Sequence, residues 1–284
     1  MKLDDLTSIA KKNGWHLLTH CPLCNHSEFT PLFCGRGHCV LCKCSGCNIT
    51  FLNPRPNNAS YRPGWLRDHY LPNSIQRGYF SKDLEPNLSV IYSNYRKIVD
   101  MTALLSPKQV VDIGCGIGLS MLALKYKKIS SVGVDVDAEF LTFAKSLGLE
   151  VRSHDITAGP IDKKVDVATL NSVLEHISEP ITFLKDIRQN ILSPGGALVI
   201  TVPNLQSLEF LRDGEKWRMI TGGHLWYFAE DSLRTVAERA GYSVERIYRE
   251  KRIPSGMSAF HTYVHDILET DKNTSGGIGM VLRT

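Results

Sequence analysis

The architecture of this 284-residue chain follows from one stretch near its middle, Val110-Val-Asp-Ile-Gly-Cys-Gly-Ile-Gly118. The first four residues are apolar except for Asp112, and a run this short is typical of a buried strand. The glycines that follow permit a tight turn and a close approach of a ligand to the backbone. The stretch therefore predicts a strand, a ligand-binding turn and the start of a helix.

Alternating strands and helices extend outward from this stretch. Short runs rich in β-branched residues predict further buried parallel strands at 131–134, 149–152, 165–170 and 197–202. A helical pattern covers 87–105, and apolar residues recur with helical spacing near Phe140 and near Leu233. This alternation predicts an open, doubly wound α/β domain.

Two acidic residues narrow the choice of ligand. The glycine spacing is Gly-x-Gly-x-Gly, whereas dinucleotide-binding turns have Gly-x-Gly-x-x-Gly. Asp112 would repel a pyrophosphate at this strand end but would attract an ammonium group. Asp135 ends the second strand, where carboxylates bind ribose hydroxyls. The pattern thus favours a nucleoside ligand that carries an amino group.

The cysteines indicate a second, metal-binding unit near the N-terminus. Seven of the eight lie between residues 21 and 47, and they include Cys21-Pro-Leu-Cys24 and Cys44-Ser-Gly-Cys47. Two Cys-x-x-Cys pairs supply four thiolates for a tetrahedral Zn²⁺ site, and crowded cysteines in a reducing compartment more often bind metal than form disulfides. The favoured ligands are Cys21, Cys24, Cys44 and Cys47, because the two pairs then have the same spacing. The sequence leaves open whether Cys34, His38, Cys39 or Cys42 replaces one of them.

Composition limits the partners. Lys and Arg number 33 and Asp and Glu 29, for a net charge of +4, which is too weak to indicate nucleic-acid binding by itself. The longest apolar runs are too short to span a bilayer, and the N-terminus lacks the apolar core of a signal peptide. We therefore expect a cytoplasmic protein with no membrane contact, whose oligomeric state the sequence leaves open.

In their order along the chain, these motifs resemble those of class I S-adenosylmethionine-dependent methyltransferases. The further segments that match are Gly133–Asp137, His154–Ile156, Val165–Ile177 and Leu192–Gly196. Residues 44–56 are similar to the zinc ribbon fused to some small-molecule and sugar methyltransferases of this superfamily. The resemblance implies a zinc-ribbon module over 1–56, a linker over 57–89 and a Rossmann-like, seven-stranded class I methyltransferase domain over 90–284.

The resemblance also implies the cofactor site. Asp112 and the glycine backbone would hold the methionine moiety, Asp135 the ribose, and Asp155 the adenine amino group. Both Asp135 and Asp155 could instead cap loops. The residues implied to bind S-adenosylmethionine are Asp112, Gly114, Cys115, Gly116, Gly118, Asp135, Asp155, Ile156, Asn171 and Ser172.

The function implied is methyl transfer to a small molecule, such as a sugar nucleotide or a natural-product intermediate. A hydroxyl or carbon-acid acceptor would need a base, and the candidates are His224 and, ranked below it, His176. Ordinary packing of the loop around His224 is the competing interpretation. Two alternative functions remain: an RNA methyltransferase whose zinc module binds RNA, and a non-catalytic scaffold that binds zinc and cofactor.

Overall fold

The computed structural model describes residues 3–35, 38–56, 66–248 and 276–284. The strands are β1 (Phe29–Cys34), β2 (Val40–Cys44), β3 (Thr50–Leu52), β4 (Val110–Ile113), β5 (Ser131–Asp135), β6 (Val151–Ser153), β7 (Val165–Asn171), β8 (Leu192–Pro203), β9 (Trp226–Tyr227), β10 (Ser243–Tyr248) and β11 (Gly277–Arg283). The α-helices are α1 (Leu3–Asn13), α2 (Leu71–Gln76), α3 (Leu88–Ala103), α4 (Leu119–Tyr126), α5 (Ala138–Ser146), α6 (Pro180–Asp186), α7 (Leu208–Asp213) and α8 (Glu230–Arg239).

Seven strands form the main sheet in the order β10-β11-β8-β7-β4-β5-β6. The five strands from β4 to β8 are parallel to their neighbours, and β11 and β10 add an antiparallel edge. This confirms the predicted seven-stranded α/β class. Every residue of β4 is buried, as expected for a central parallel strand covered on both faces. The chain leaves β4 for β5 on one side and returns as β7 on the other, so a switch in strand order lies at its carboxyl end.

The helices begin and end where the sequence signals them. Asn87 caps α3 by accepting a hydrogen bond from the amide of Val90, within the predicted segment 87–105. Asp137 caps α5 in the same way through the amides of Glu139 and Phe140. The predicted apolar face near Leu233 is the buried face of α8.

The segment before α3 differs from its prediction. Residues 54–80 lack periodicity and suggest irregular structure. Instead, a π-helical turn at Leu66–Tyr70 continues directly into α2, with Leu66 buried and Pro72 in the first turn of α2. Residues 57–65 of the predicted linker lie outside the described residues, as do 249–275 of the predicted catalytic domain.

A smaller antiparallel sheet has the order β1-β2-β3-β9. Its first three strands come from the cysteine-rich segment, but β9 lies more than 170 residues further along the chain. Phe51 pairs with Trp226 and Thr50 with Tyr227. The buried side chains of this sheet belong to the same apolar cluster as those of β7 and β8. The N-terminal module and the main sheet therefore share a core.

Within the described ranges, none of the helices combines the length and apolar character needed to cross a lipid bilayer.

Candidate active site

A large cavity of about 1290 Å³ opens at the carboxyl ends of the central parallel strands. Ligands of open α/β sheets bind at this edge, where the strand order switches. All the predicted cofactor residues except Asp112 and Gly118 line the cavity, and so does His176, but not His224. The sequence-predicted residues that line it are Gly114, Cys115, Gly116, Asp135, Asp155, Ile156, Asn171, Ser172 and His176.

The glycine turn needs glycine for two physical reasons. Gly114, Gly116 and Gly118 all have positive φ, at 65°, 54° and 85°. A Cβ on Gly114 would also lie 2.6 Å from a methyl carbon of Val173, so the turn has no room for a side chain there. Gly118 is the residue before α4, and a Cβ there would meet Leu149 rather than the cavity. Its part in the site is therefore to let the turn enter the helix.

Asp135 faces the cavity from the end of β5. Its Oδ2 accepts a hydrogen bond from the amide of Gly116 at 2.8 Å, and its Oδ1 accepts one from the amide of Asp137 at 2.9 Å. These bonds fix the carboxylate beside the glycine turn, and each oxygen keeps a second lone pair for a ligand hydroxyl.

Asp112 lies behind the cavity wall and is only 1% exposed. Thr169 donates a hydrogen bond from Oγ1 at 2.6 Å, and Ser120 donates from Oγ to the other carboxylate oxygen. Burial raises the pKa of Asp112 to about 6, although both hydroxyls lower it. Ser120 itself lines the cavity, so its hydroxyl lies between Asp112 and the cavity. Ser120 was not predicted from the sequence, because it carries no motif signal beyond its place in α4.

Asp155 and Ile156 form the far wall of the cavity. Asp155 caps a short 3₁₀ turn, because its Oδ1 accepts hydrogen bonds from the amide of Thr157 at 2.9 Å and from its hydroxyl at 2.7 Å. These bonds hold the pKa of Asp155 below its usual range. Ile156 is buried with 4% exposure. Asp155 thus caps a turn and also lines the cavity.

Asn171 and Ser172 end β7 at the middle of the cavity. Thr201 on β8 donates a hydrogen bond from its hydroxyl to the side-chain oxygen of Asn171. The amide of Ser172 donates to the carbonyl of Thr201 at 2.9 Å, and Ser172 has a φ of 54°. Thr201 also lines the cavity. Thr201 was not predicted as a site residue, because its only sequence signal is its place in a predicted strand.

A histidine cluster lies just past β7. The rings of His176 and His224 are 4.7 Å apart between centroids, at 76° to each other. The Nδ1 of His176 donates a hydrogen bond to the carbonyl of Gly223 at 2.7 Å. Burial lowers the pKa of His176, and burial together with His176 lowers the pKa of His224 to about 3. Both rings are therefore neutral near pH 7.

Glu175 completes this cluster, although its sequence position did not predict a chemical role. It is 1% exposed, and in the described structure neither carboxylate oxygen has a hydrogen-bond partner. Burial raises the pKa of Glu175 to about 8. One ligand atom each from Glu175, His176 and His224 lie within 4.8 Å of one another. No spacing rule would link residue 224 to residues 175 and 176.

The four cysteines of the two Cys-x-x-Cys pairs come together at one point. Their sulfur atoms lie within 4.8 Å of one another, with 3.7 Å between Cys21 and Cys47 and 3.5 Å between Cys24 and Cys44. A tetrahedral zinc site with bonds of about 2.3 Å has sulfur–sulfur edges of about 3.8 Å. The donor set and its spacing therefore fit Zn²⁺. Within the described residues, neither Cys34, Cys39, Cys42 nor His38 joins this group.

Arg55 joins the cysteine module to the segment that carries His224. Its guanidinium is buried, donating from Nε to the carbonyl of Leu52 and from Nη2 to that of Leu225, both at 3.2 Å. The same group lies 4.3 Å from the ring centroid of Trp226. The amide of Leu225 in turn donates to the carbonyl of Glu175 at 2.8 Å. One run of hydrogen bonds thus links the module to the histidine cluster.

Comparison with curated proteins finds relatives among methyltransferases. The mitochondrial ubiquinone biosynthesis O-methyltransferase of Rattus norvegicus is 28% identical over 161 residues, which cover 50% of this chain and 46% of the relative. The Pseudomonas aeruginosa enzyme of the same name is 28% identical over 121 residues, covering 40% of this chain and 52% of the relative. The chain therefore spans about half the length of the curated relatives it matches.

Solved structures share the fold. A SAM-dependent methyltransferase from Archaeoglobus fulgidus has a TM-score of 0.53 and 19% identity, covering 76% of this chain and all of that one. The plantazolicin methyltransferase BamL, solved with a triazolic desmethylPZN analog and SAH, has a TM-score of 0.50 and 16% identity, covering 78% of this chain and 93% of that one. The family model described as a methyltransferase domain matches residues 90–247, more than half of the chain. The chain therefore belongs to the methyltransferase-domain family.

Proposed function

We propose that this protein transfers a methyl group from S-adenosylmethionine to a small-molecule acceptor. The observation that carries the proposal is a single cavity that brings together the glycine turn, Asp135 and His176. At this position in a methyltransferase domain, one end of the cavity can hold a nucleoside and the other an acceptor.

In this proposal, the chain's own groups hold the cofactor along the strand ends. Asp135 accepts from the ribose hydroxyls, and Asp155 and Ile156 contact the adenine. The methionine amino group binds the backbone of the glycine turn and the hydroxyl of Ser120. Asp112 holds that hydroxyl in place. Asn171 and Ser172 place the methyl group toward the remaining part of the cavity.

The transfer is an in-line displacement in which the bond between the sulfonium and the methyl carbon breaks as the acceptor–carbon bond forms. The acceptor loses one proton, and S-adenosylhomocysteine leaves as a neutral thioether. Of the two candidate bases, His176 lines the cavity, and its Nδ1 proton is donated to the carbonyl of Gly223. Its Nε2 therefore carries the lone pair that can accept the proton. His224 lies behind it and contacts its ring.

The lining supports an acceptor that carries oxygen and negative charge. Arg77 and Arg218 line the cavity together with His176, and guanidinium groups recognise carboxylates and phosphates. The curated relatives bear the name O-methyltransferase. Hydroxyl acceptors with an anionic substituent, which include sugar nucleotides, are therefore the first class to test.

We also propose that Cys21, Cys24, Cys44 and Cys47 bind a structural zinc ion. The support is the sulfur geometry described above and the amide of Gly46, which donates to the sulfur of Cys44 at 3.3 Å. Four protein ligands leave no open position for a substrate, as is usual for a structural site.

Binding of S-adenosylhomocysteine, measured by calorimetry, tests the cofactor site. The Asp135→Asn variant should bind about 10- to 100-fold more weakly, because it loses charge-assisted hydrogen bonds worth about 1.5–3 kcal/mol. Asp166→Asn is the matched control, since Asp166 is exposed near the opposite end of a parallel strand. Equal affinity of the two variants would contradict the assignment of Asp135.

A transfer assay with methyl-labelled S-adenosylmethionine tests the acceptor class. We expect label in a pool of phenols, sugar nucleotides and other small hydroxyl compounds, and none in RNA. Label in RNA alone would support the RNA methyltransferase alternative. Cofactor binding with no label in any pool would support the non-catalytic scaffold.

A further inference from the structure

Glu175, His176 and His224 form a second set of metal-ligand side chains, separate from the cysteines. One ligand atom from each lies within 4.8 Å of the other two. Glu175 and His176 lie in a 3₁₀ turn a few residues after β7, while His224 lies in the segment before β9. The fold therefore brings together two imidazoles and a carboxylate from distant parts of the chain.

The two imidazoles are oriented as metal ligands usually are. The Nδ1 of His176 donates to the carbonyl of Gly223, which leaves the lone pair on Nε2. His224 makes a backbone hydrogen bond with Met219, and its Nδ1 is buried without a hydrogen-bond partner in the described structure. A backbone carbonyl that holds one ring nitrogen and so presents the other is the usual support of a metal-bound histidine.

Glu175 supplies the independent observation. It is a carboxyl group with 1% exposure, and neither oxygen has a hydrogen-bond partner among the described residues. Burying an ionised carboxyl group without a partner lowers the stability of the fold by several kcal/mol, unless a cation or a hydrogen-bond donor binds it. Each neutral histidine has a single N–H, and a backbone carbonyl already accepts it, so neither ring has a donor left for the carboxylate. A cation between the three side chains would satisfy all of them.

We propose that Glu175, His176 and His224 bind a divalent transition-metal ion, such as Zn²⁺, Fe²⁺ or Mn²⁺, in the wall of the cavity. Two imidazoles and one carboxylate suit these ions and leave coordination positions open. His176 lines the cavity, so an ion held by the three side chains would lie at the cavity wall. This set contrasts with the four-cysteine site, whose ligands fill a tetrahedron.

The site deepens the proposed function, on which this step rests. An acceptor hydroxyl bound to the ion would have a lowered pKa and would lose its proton to solvent. The resulting alkoxide or phenolate would then attack the methyl carbon. With the ion bound, the Nε2 lone pair of His176 is a metal ligand, so solvent takes the proton that His176 would accept in the metal-free site. The acceptor class is narrowed to molecules whose hydroxyl oxygen can reach the ion, with a neighbouring oxygen as a second ligand.

Cobalt substitution of the full chain tests the site directly. Protein loaded with Co²⁺ should hold about two ions per chain. The four-thiolate site gives intense thiolate-to-cobalt charge-transfer absorption, whereas a site with nitrogen and oxygen ligands gives only weak visible bands. The Cys44→Ser/Cys47→Ser variant should lose the charge-transfer bands and keep the weak ones. Loss of all bound cobalt in that variant would overturn the proposal, whatever the behaviour of other variants.

Variants of the cluster give the second measurement. Glu175→Gln should lower the affinity for the nitrogen–oxygen cobalt ion at least 10-fold while charge-transfer absorption is retained, which also shows that the ribbon is folded. His154→Gln is the matched control, because His154 also lines the cavity but is not part of the cluster. Unchanged cobalt affinity in Glu175→Gln would contradict the assignment.

The metal site and the proposed function can fail separately. S-adenosylhomocysteine binding reports on the cofactor site and does not require the ion. Methyl transfer that persists at full rate after the second ion is removed would overturn the metal's role and leave the methyltransferase function intact. If the protein did not bind the cofactor but Glu175 still bound cobalt, the methyltransferase function would be overturned and the metal site would stand.

Discussion

Asp112 is a carboxyl group enclosed between the main sheet and α4. Its pKa of about 6 means that the ionised form is disfavoured in the folded protein relative to water. The hydroxyls of Ser120 and Thr169 reduce this penalty but do not remove it. The ionisation of Asp112, which lies behind the cavity wall, therefore lowers the free energy of unfolding.

The pH dependence of stability measures this link. The folded pKa of Asp112 lies above its usual 3.8, so its favourable contribution is complete below about pH 4 and is lost as the pH rises through 6. The free energy of unfolding of the native protein minus that of Asp112→Asn should therefore fall by about 2 kcal/mol between pH 4 and pH 7. Urea unfolding of both proteins at each pH checks this, and a difference that is constant with pH would refute it.

At the residue scale, sequence motifs predicted which side chains lie at the carboxyl ends of the strands. Asp135 and Ser172 could be placed because the carboxyl ends of parallel strands meet at one edge of the sheet. Ser120 and Thr201 could not, since their role comes from which neighbour they face. Glu175 carries no local signal at all, because its unusual state depends on burial by a segment distant in the sequence.

At the scale of elements, the turn between β4 and α4 combines backbone conformation with lack of space. Gly114 has a φ of 65° and would place a Cβ against Val173. Gly148 has a similar φ of 71°, but a Cβ there would meet nothing within 4 Å. Substitution at Gly148 therefore measures the conformational cost of a side chain at positive φ. Substitution at Gly114 adds the cost of steric overlap with Val173.

Alanine substitutions at these glycines should differ in their effect on stability. Gly148→Ala should cost about 1–2 kcal/mol, the price of a left-handed residue with a side chain. Gly114→Ala should cost about 2–5 kcal/mol, since overpacking against Val173 adds about 1–3 kcal/mol. Thermal or urea unfolding of both variants measures the difference. Equal destabilisation would mean that Val173 moves aside freely.

Strands and helices with a clear pattern of apolar residues could be predicted from the sequence, and elements without such a pattern could not. The five central strands are runs of β-branched residues, and α8 has a regular apolar face. The helical segment from Leu66 to Gln76 has neither signal, because it begins with a π-helical turn and carries Pro72 in the next. Its helical form comes from packing that the local sequence does not display.

At the scale of the whole molecule, the cysteine module and the methyltransferase domain are held together by strand pairing. The amide of Leu52 donates to the carbonyl of Leu225 at 3.0 Å, next to the pairing of Phe51 with Trp226. Arg55 binds across the same junction. The sequence separated a module at 1–56 from a domain at 90–284, and pairing over such a distance in the chain has no local pattern to reveal it.

Loss of the proposed zinc ion should therefore disturb both partners of this junction. In Cys44→Ser/Cys47→Ser, amide hydrogen exchange should be at least about 10-fold faster in β3 and in β9, while β4 remains protected. Cys34→Ser is the matched control, because Cys34 lies on β1 of the same sheet but outside the ligand group. Faster exchange confined to residues 21–52 would show that the junction is independent of the metal.

The fourth strand of the small sheet also sets an order of events during synthesis. The cysteine ligands and β3 leave the ribosome long before β9, which lies some 170 residues later. At about 5–20 residues per second, roughly 10–35 s pass before the missing strand exists. During that interval the nascent module has an unpaired edge at β3. The first part of the protein to be translated is thus among the last to reach its native state.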